Sequence, residues 1–237
     1  MSNEPVFQIK VSRKELMKIA WFLIGIDVFF ILAYALTSIF FPHLPWGPVD
    51  GWFDLDRDNS IPSWFSSLQY VALAVAVLST IGHFTVRGVS TRFLSILGLA
   101  MAFLGLDEAV GIHEQFTEAM KELNLDWMLS VSLTGEHGTW VFFYVLAGLG
   151  VTLLIYKDLL FLWREYRHEA LVVIIGGVLL VLGEVGLEVI SYLFLRTPAV
   201  GLFYNIEVMF EEGSALLGMS LLFYGGLSFL MKAQTAG

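Results

Sequence analysis

A chain of 237 residues that is 57% hydrophobic and 15% charged, with a mean hydropathy of +0.75, is not an ordinary soluble domain, in which about a quarter of residues are charged. A formal net charge of −9 argues against a nucleic-acid binder, which presents a basic patch. The absence of cysteine excludes thiolate metal sites, iron–sulfur clusters and disulfides. The composition predicts an integral membrane protein with one domain, residues 1–237.

In chain order, Ser12-Arg13-Lys14-Glu15 has capping-box spacing and predicts the start of the first helix. Six apolar runs follow, at about 17–41, 63–86, 93–116, 137–162, 170–194 and 199–231, each long enough to cross a hydrocarbon core of ~30 Å. Ala33-Tyr34-Ala35 has the form of a signal cleavage site, but the first run continues to Phe41, longer than a signal core, and reads as a retained anchor. Between the first two runs lies a loop rich in Trp, Pro and Asp. The stretch 124–131 has the character of a short interfacial helix. Thr197-Pro198 supplies a start signal for the sixth run. Because lipid offers no partner to free backbone groups, the expected fold is all-α: a polytopic transmembrane bundle of about six helices.

The basic residues set the expected orientation. A cytoplasmic N-terminus places Lys10, Arg13, Lys14, Lys18, Arg87, Arg92, Lys157, Arg164, Arg167 and Lys232 inside, and Arg57, Lys121 and Arg196 outside. Both termini are then cytoplasmic, in the inner membrane of a bacterial-type cell.

That orientation gives the acids a common depth. The stretch Leu104–Glu114, LGLDEAVGIHE, puts Asp107, Glu108, His113 and Glu114 in the outer half of the third span. Glu136 and His137 open the fourth, Glu184 and Glu188 lie in the outer half of the fifth, and Glu207, Glu211 and Glu212 in that of the sixth. Ionisable groups within a membrane are costly, by ~2.5–3.5 kcal/mol each at mid-depth, and mark functional sites. With almost no Lys or Arg in that layer, protons or a bound cation must neutralise them. Carboxylates with imidazoles suit Fe, Mn or Zn. The candidate ligands are Asp107, Glu108, His113, Glu114, Glu136, His137, Glu184, Glu188, Glu207 and Glu211. The inventory is that of ferritin-like di-metal bundles, without their Glu-x-x-His spacing. The leading reading is a divalent-metal site in a membrane oxidoreductase acting on a lipid or quinone-like substrate. The alternatives are a proton- or cation-coupled transporter, a metal-dependent membrane hydrolase and a structural subunit of a membrane complex.

Smaller signals remain. Asp54-x-Asp56-x-Asp58 resembles the first half of a calcium loop, although Asn59 and Phe65 occupy the positions where an EF-hand needs Gly and Glu. A looser calcium site and a solvated acidic turn, capped into the next helix by Ser60 or Ile61, are both open. Ser66 reads either as a nucleophile beside His113 or His137, or as a helix hydroxyl bonded to backbone. Asp27 stands alone in the first span, with Gln69 or His83 as candidate partners.

The pieces FDLDRDNSIPSWFSS, LGLDEAVGIHE and EEGSALLG resemble motifs of an uncharacterised group of bacterial multi-pass membrane proteins. The resemblance implies a membrane location and no particular activity. The acid-and-serine loop is also similar to that of alkaline-ceramidase-type membrane hydrolases, which bind zinc. Where those carry His-x-x-x-His near the last helix, this chain has Glu207-x-x-x-Glu211.

Overall fold

The structure is a computed structural model and describes residues 11–42, 51–81, 89–123, 139–190 and 201–235. Seven helices are present among the described residues. They are α1 (Arg13–Tyr34, continued by a π-helical turn Ala35–Phe40), α2 (Ile61–Ser79), α3 (Thr91–Val110), α4 (Ile112–Glu122), α5 (Thr139–Glu165), α6 (Arg167–Val181, continued through a π-helical turn Leu182–Leu187 to Ile190) and α7 (Leu202–Thr235). All except α4 are long and apolar enough to cross a membrane. The all-α reading therefore holds.

Serines start three of the helices. Ser12, Ser60 and Ser90, each in extended backbone, accept from the amides of Glu15, Ser63 and Phe93 at 3.2, 3.3 and 3.0 Å. Each satisfies one of the first-turn N–H groups that a helix leaves unpaired. The Glu15 carboxylate returns a bond to the Ser12 amide at 2.7 Å, completing the expected capping box.

Two expectations need correcting. The run 93–116 is two helices, because Gly111 adopts a left-handed conformation (φ 61°) that ends α3 and begins α4; His113 and Glu114 therefore leave the span. The second span ends at Ser79 rather than at 86. Helix α7 runs unbroken through Gly213. The interfacial helix at 124–131 and the start signal Thr197-Pro198 lie outside the described residues.

Helix α7 is the axis of the bundle, packing on α6, α1 and α2, while α2 packs on α3 and α5 stands at the edge against α3, α4 and α6. Lipid tails are as apolar as leucine, so association rests on close van der Waals fit rather than on hydrophobic burial. The α6–α7 crossing meets that need with Gly176 and Gly218: a Cβ on Gly218 would lie 2.7 Å from the Gly176 carbonyl oxygen. The apolar core, including Tyr70, Leu73, Val77, Phe93, Met219 and Leu230, fills the end where α2 and α7 finish and α3 and α6 begin. Trp21, Phe22 and Leu153 are exposed on the periphery, as expected of lipid-facing positions.

Candidate metal centre

The opposite end of the bundle holds the acids. It is organised by serines of α2 that tie down the last turns of α3. Ser67 donates to the Gly105 carbonyl at 2.6 Å, and Ser63 donates to the Glu108 carbonyl at 2.8 Å. The single Ser63 hydroxyl proton is shared with the Asp58 carbonyl, which draws the loop before α2 onto the end of α3. These hydroxyls carry out the backbone-bonding role. Ser66 is buried, with its hydroxyl on the Glu108 side chain.

Gly111 then brings the loop and α4 together. Its amide donates to the Asp107 carbonyl at 2.7 Å. A Cβ at this position would collide with the Asp58 carboxylate, and a side chain would strain the left-handed backbone. The reversal turns α4 so that its first turn faces back on α3. The His113 amide donates to Asp107 Oδ1 at 2.8 Å, and His113 Nδ1 lies 3.1 Å from the same oxygen. Asp107 is 7% exposed. With Nδ1 held by a carboxylate, Nε2 is the nitrogen left for a ligand. This is the usual arrangement behind a metal-bound histidine, in which the partner fixes the tautomer and ring orientation. The ring also stacks near Trp140 of α5, centroids 4.9 Å apart.

Asp58, His113 and Glu114 form the one group among the described residues whose ligand atoms all lie within 4.8 Å of one another. With metal–ligand bonds of ~2.0–2.2 Å in tetrahedral geometry, donors around an ion stand about 3.5 Å apart, so the group would have to draw in by about an ångström to close on one cation. Burial pushes the Asp58 carboxyl above its ordinary range; His113 opposes this and Asp107 adds to it. Burial likewise raises Glu114, with Asp58 adding. For His113 burial favours the neutral ring, but the Asp107 carboxylate outweighs it and the pKa is raised.

The three residues open onto a cavity of about 380 Å³ that Glu108 also lines. Its far wall carries Glu184 and Glu188 of α6 and Glu211 and Glu212 of α7. Glu184 lies within the π-helical turn of α6, a feature frequent at functional sites. The basic lining residues are Arg57 and Lys121, the latter bonded to Glu118 at 2.7 Å.

The sequence-derived set is therefore divided. Glu108, His113, Glu114, Glu184, Glu188 and Glu211 share the cavity, whereas Asp107 stands behind His113. Glu207, half-buried one turn before Glu211, does not line it. Glu136 and His137 lie outside the described residues, as does His83. The calcium-loop triplet separates: Asp54 accepts from the Asp56 amide at 3.2 Å, Asp56 accepts from the Tyr204 hydroxyl at 2.6 Å, and only Asp58 joins His113 and Glu114. Sequence reasoning left Asp58 out of the metal set and gave no role to Glu212 or Trp140. Asp27 is fully buried between α1 and α7 with Ser220 beside it, and neither carboxylate oxygen has a hydrogen-bond partner among the described residues.

No curated protein and no solved structure matches the chain. A family model, described as a domain of unknown function, matches residues 16–229. That match covers four of the candidate membrane helices in full, most of the other two, and every residue of the cavity, and the chain belongs to this family, DUF8692.

Proposed function

We propose that the protein is a membrane metalloenzyme whose centre is a divalent ion held by Asp58, His113 and Glu114, with Asp107 fixing the imidazole. The observation that carries this reading is the convergence of one imidazole, backed by a carboxylate, with two carboxylates on a water-accessible cavity. One nitrogen and two oxygen donors suit Fe, Mn or Zn. Three protein ligands leave positions for water and substrate, so the ion would polarise a substrate oxygen and lower the pKa of bound water. Zinc there points to hydrolysis, and iron or manganese to the oxidation of a lipid or quinone-like substrate. The positive-inside bias supports a cavity on the outer face of the inner membrane.

The test is elemental analysis of purified protein with and without added Fe, Mn or Zn. One ion per chain is expected, lost in Asp58→Asn. A content far below one per chain, with no uptake, refutes the metal centre.

A second reading, proton- or cation-coupled transport, is favoured by Asp27, since an unpartnered acid buried within a span is the mark of an ion path. Flux into proteoliposomes that disappears in both Asp27→Asn and Glu211→Gln selects it over the enzyme.

A further inference from the structure

A second cavity, of about 410 Å³, lies deeper in the bundle between α3, α5 and α6. Its walls are largely apolar, with Leu104, Val145, Leu149, Leu180 and Val181 among them. It shares Glu108, His113, Trp140 and Glu184 with the acidic cavity, so the two chambers meet at the metal group. Val145, Leu149 and Val181 are exposed, at 42, 57 and 56%, on the periphery of α5 and α6. These helices lie within candidate membrane spans. In a bilayer the mouth these residues frame opens sideways into hydrocarbon, and an aqueous solute has no reason to enter by it.

We infer that the two chambers together form a binding site for one acyl-chain phospholipid with an amine-bearing headgroup, its tail in the apolar chamber and its head among the carboxylates. The tail's environment follows from the wall and the lateral mouth. The head follows from charge. Glu108, Glu184, Glu188, Glu211 and Glu212 line a chamber whose basic residues are Arg57 and the already bonded Lys121. A net-anionic head is repelled there, whereas an ammonium is attracted. Trp140 and Tyr144, in edge contact at 5.1 Å beside the junction, add ring faces suited to a cation. The inference deepens the metal-centre reading and rests on it for one contact, that of the lipid phosphate with the ion.

Gly148 provides the test. It lines the apolar chamber, and a Cβ there would meet nothing within 4 Å, so a large side chain can fill the space without displacing a helix. Full-length protein in nanodiscs is photolysed with phosphatidylethanolamine carrying a diazirine on its acyl chain, and labelled peptides are mapped by mass spectrometry. The expected result is label concentrated on 145–152 and 180–185, reduced at least five-fold in Gly148→Trp at unchanged metal content and reduced also with a phosphatidylglycerol probe. Label spread evenly over lipid-facing positions such as Trp21 and Phe22, and unaffected by Gly148→Trp, overturns the inference. Equal labelling by the two probes overturns the headgroup assignment. Chamber labelling in protein that takes up no metal keeps the lipid site and refutes the metal centre; bound metal without chamber labelling does the reverse.

Discussion

The two ends of the bundle treat charge in opposite ways. Where α2 and α7 finish, the buried Glu169 carboxylate is bonded to Lys232 at 2.9 Å and Asp158 accepts from the Ser90 amide at 3.0 Å. The space between is filled by Tyr70, Val77, Phe93, Met219 and Leu230. At the other end, carboxylates from the loop, α3, α4, α6 and α7 surround open space, and the imidazole among them is already engaged by Asp107. One end completes its electrostatics within the chain. On the proposed function, the other has them completed by a bound cation, which would separate a structural arrangement of acids from a functional one.

Mutations that act on one end alone sharpen this contrast. The largest expected effect is that of His113→Ala on metal affinity, a loss beyond the ~10–100-fold that removal of an outer-shell partner costs, in metal-free protein that still folds but with a Tm lowered by loss of the Asp107 contact. Loss of folding instead would make His113 a structural residue. At the closed end, Gly218→Val drives side-chain atoms into the Gly176 carbonyl and Leu180 backbone, an overpacking expected to cost about 1–3 kcal/mol. Its Tm should fall while metal stoichiometry persists in the fraction that folds. Asp107→Asn should weaken metal binding by about 10–100-fold, because the amide no longer selects the His113 tautomer; titration of metal into the stripped protein measures this.

Acidity discriminates more finely. His113, Asp58 and Glu114 all have raised pKa values in the folded state, so the native protein binds more protons than the unfolded chain. The stability this contributes is full below the unfolded pKa values, ~4 for the carboxyls and ~6.5 for the imidazole, and is lost as pH rises through the raised ones. Metal-free protein should therefore melt at lower temperature as pH rises from about 4 to beyond 7. Added metal should stabilise it increasingly over the same range, because ligands must shed protons to bind. A metal-free melting temperature that rises across that window refutes the assignment. The smallest effect is expected from Glu207→Gln: Glu207 does not line the cavity, so the change should leave metal content and chamber labelling unchanged.

Much of the fold is legible from the chain, because span length and capping are local properties. Ser12, Ser60 and six apolar runs state them directly. The break at Gly111 was harder to read: an isolated glycine in a helical pattern is tolerated, and only the polar stretch HEQFTEAMKE beyond it hints at an exit from the span. Asp58 was obscured by its regular spacing with Asp54 and Asp56, which invited a local reading. Its partners His113 and Glu114 lie in a different helix, brought in by Ser63 bonding to the Glu108 carbonyl 45 residues away. Periodicity places Glu207 and Glu211 on one face, yet the cavity takes Glu211 with Glu212. A helical wheel gives relative angles, and the absolute rotation is set by contacts such as that of Gly183 with the Glu211 carbonyl.

The π-helical turn at Leu182–Leu187 has a consequence at the level of the gene. Such a turn accommodates one residue more than the α-helix it interrupts. Removing a single codon within it would let α6 close into continuous α-helix, with the residues before and after the turn kept close to their present register. Gly176 would keep its seat against Gly218 and Glu188 its place beside the cavity, while Glu184, inside the turn, would be re-aimed. Length variation at this one point would therefore separate chains that keep the bundle and its site from chains that keep the bundle alone.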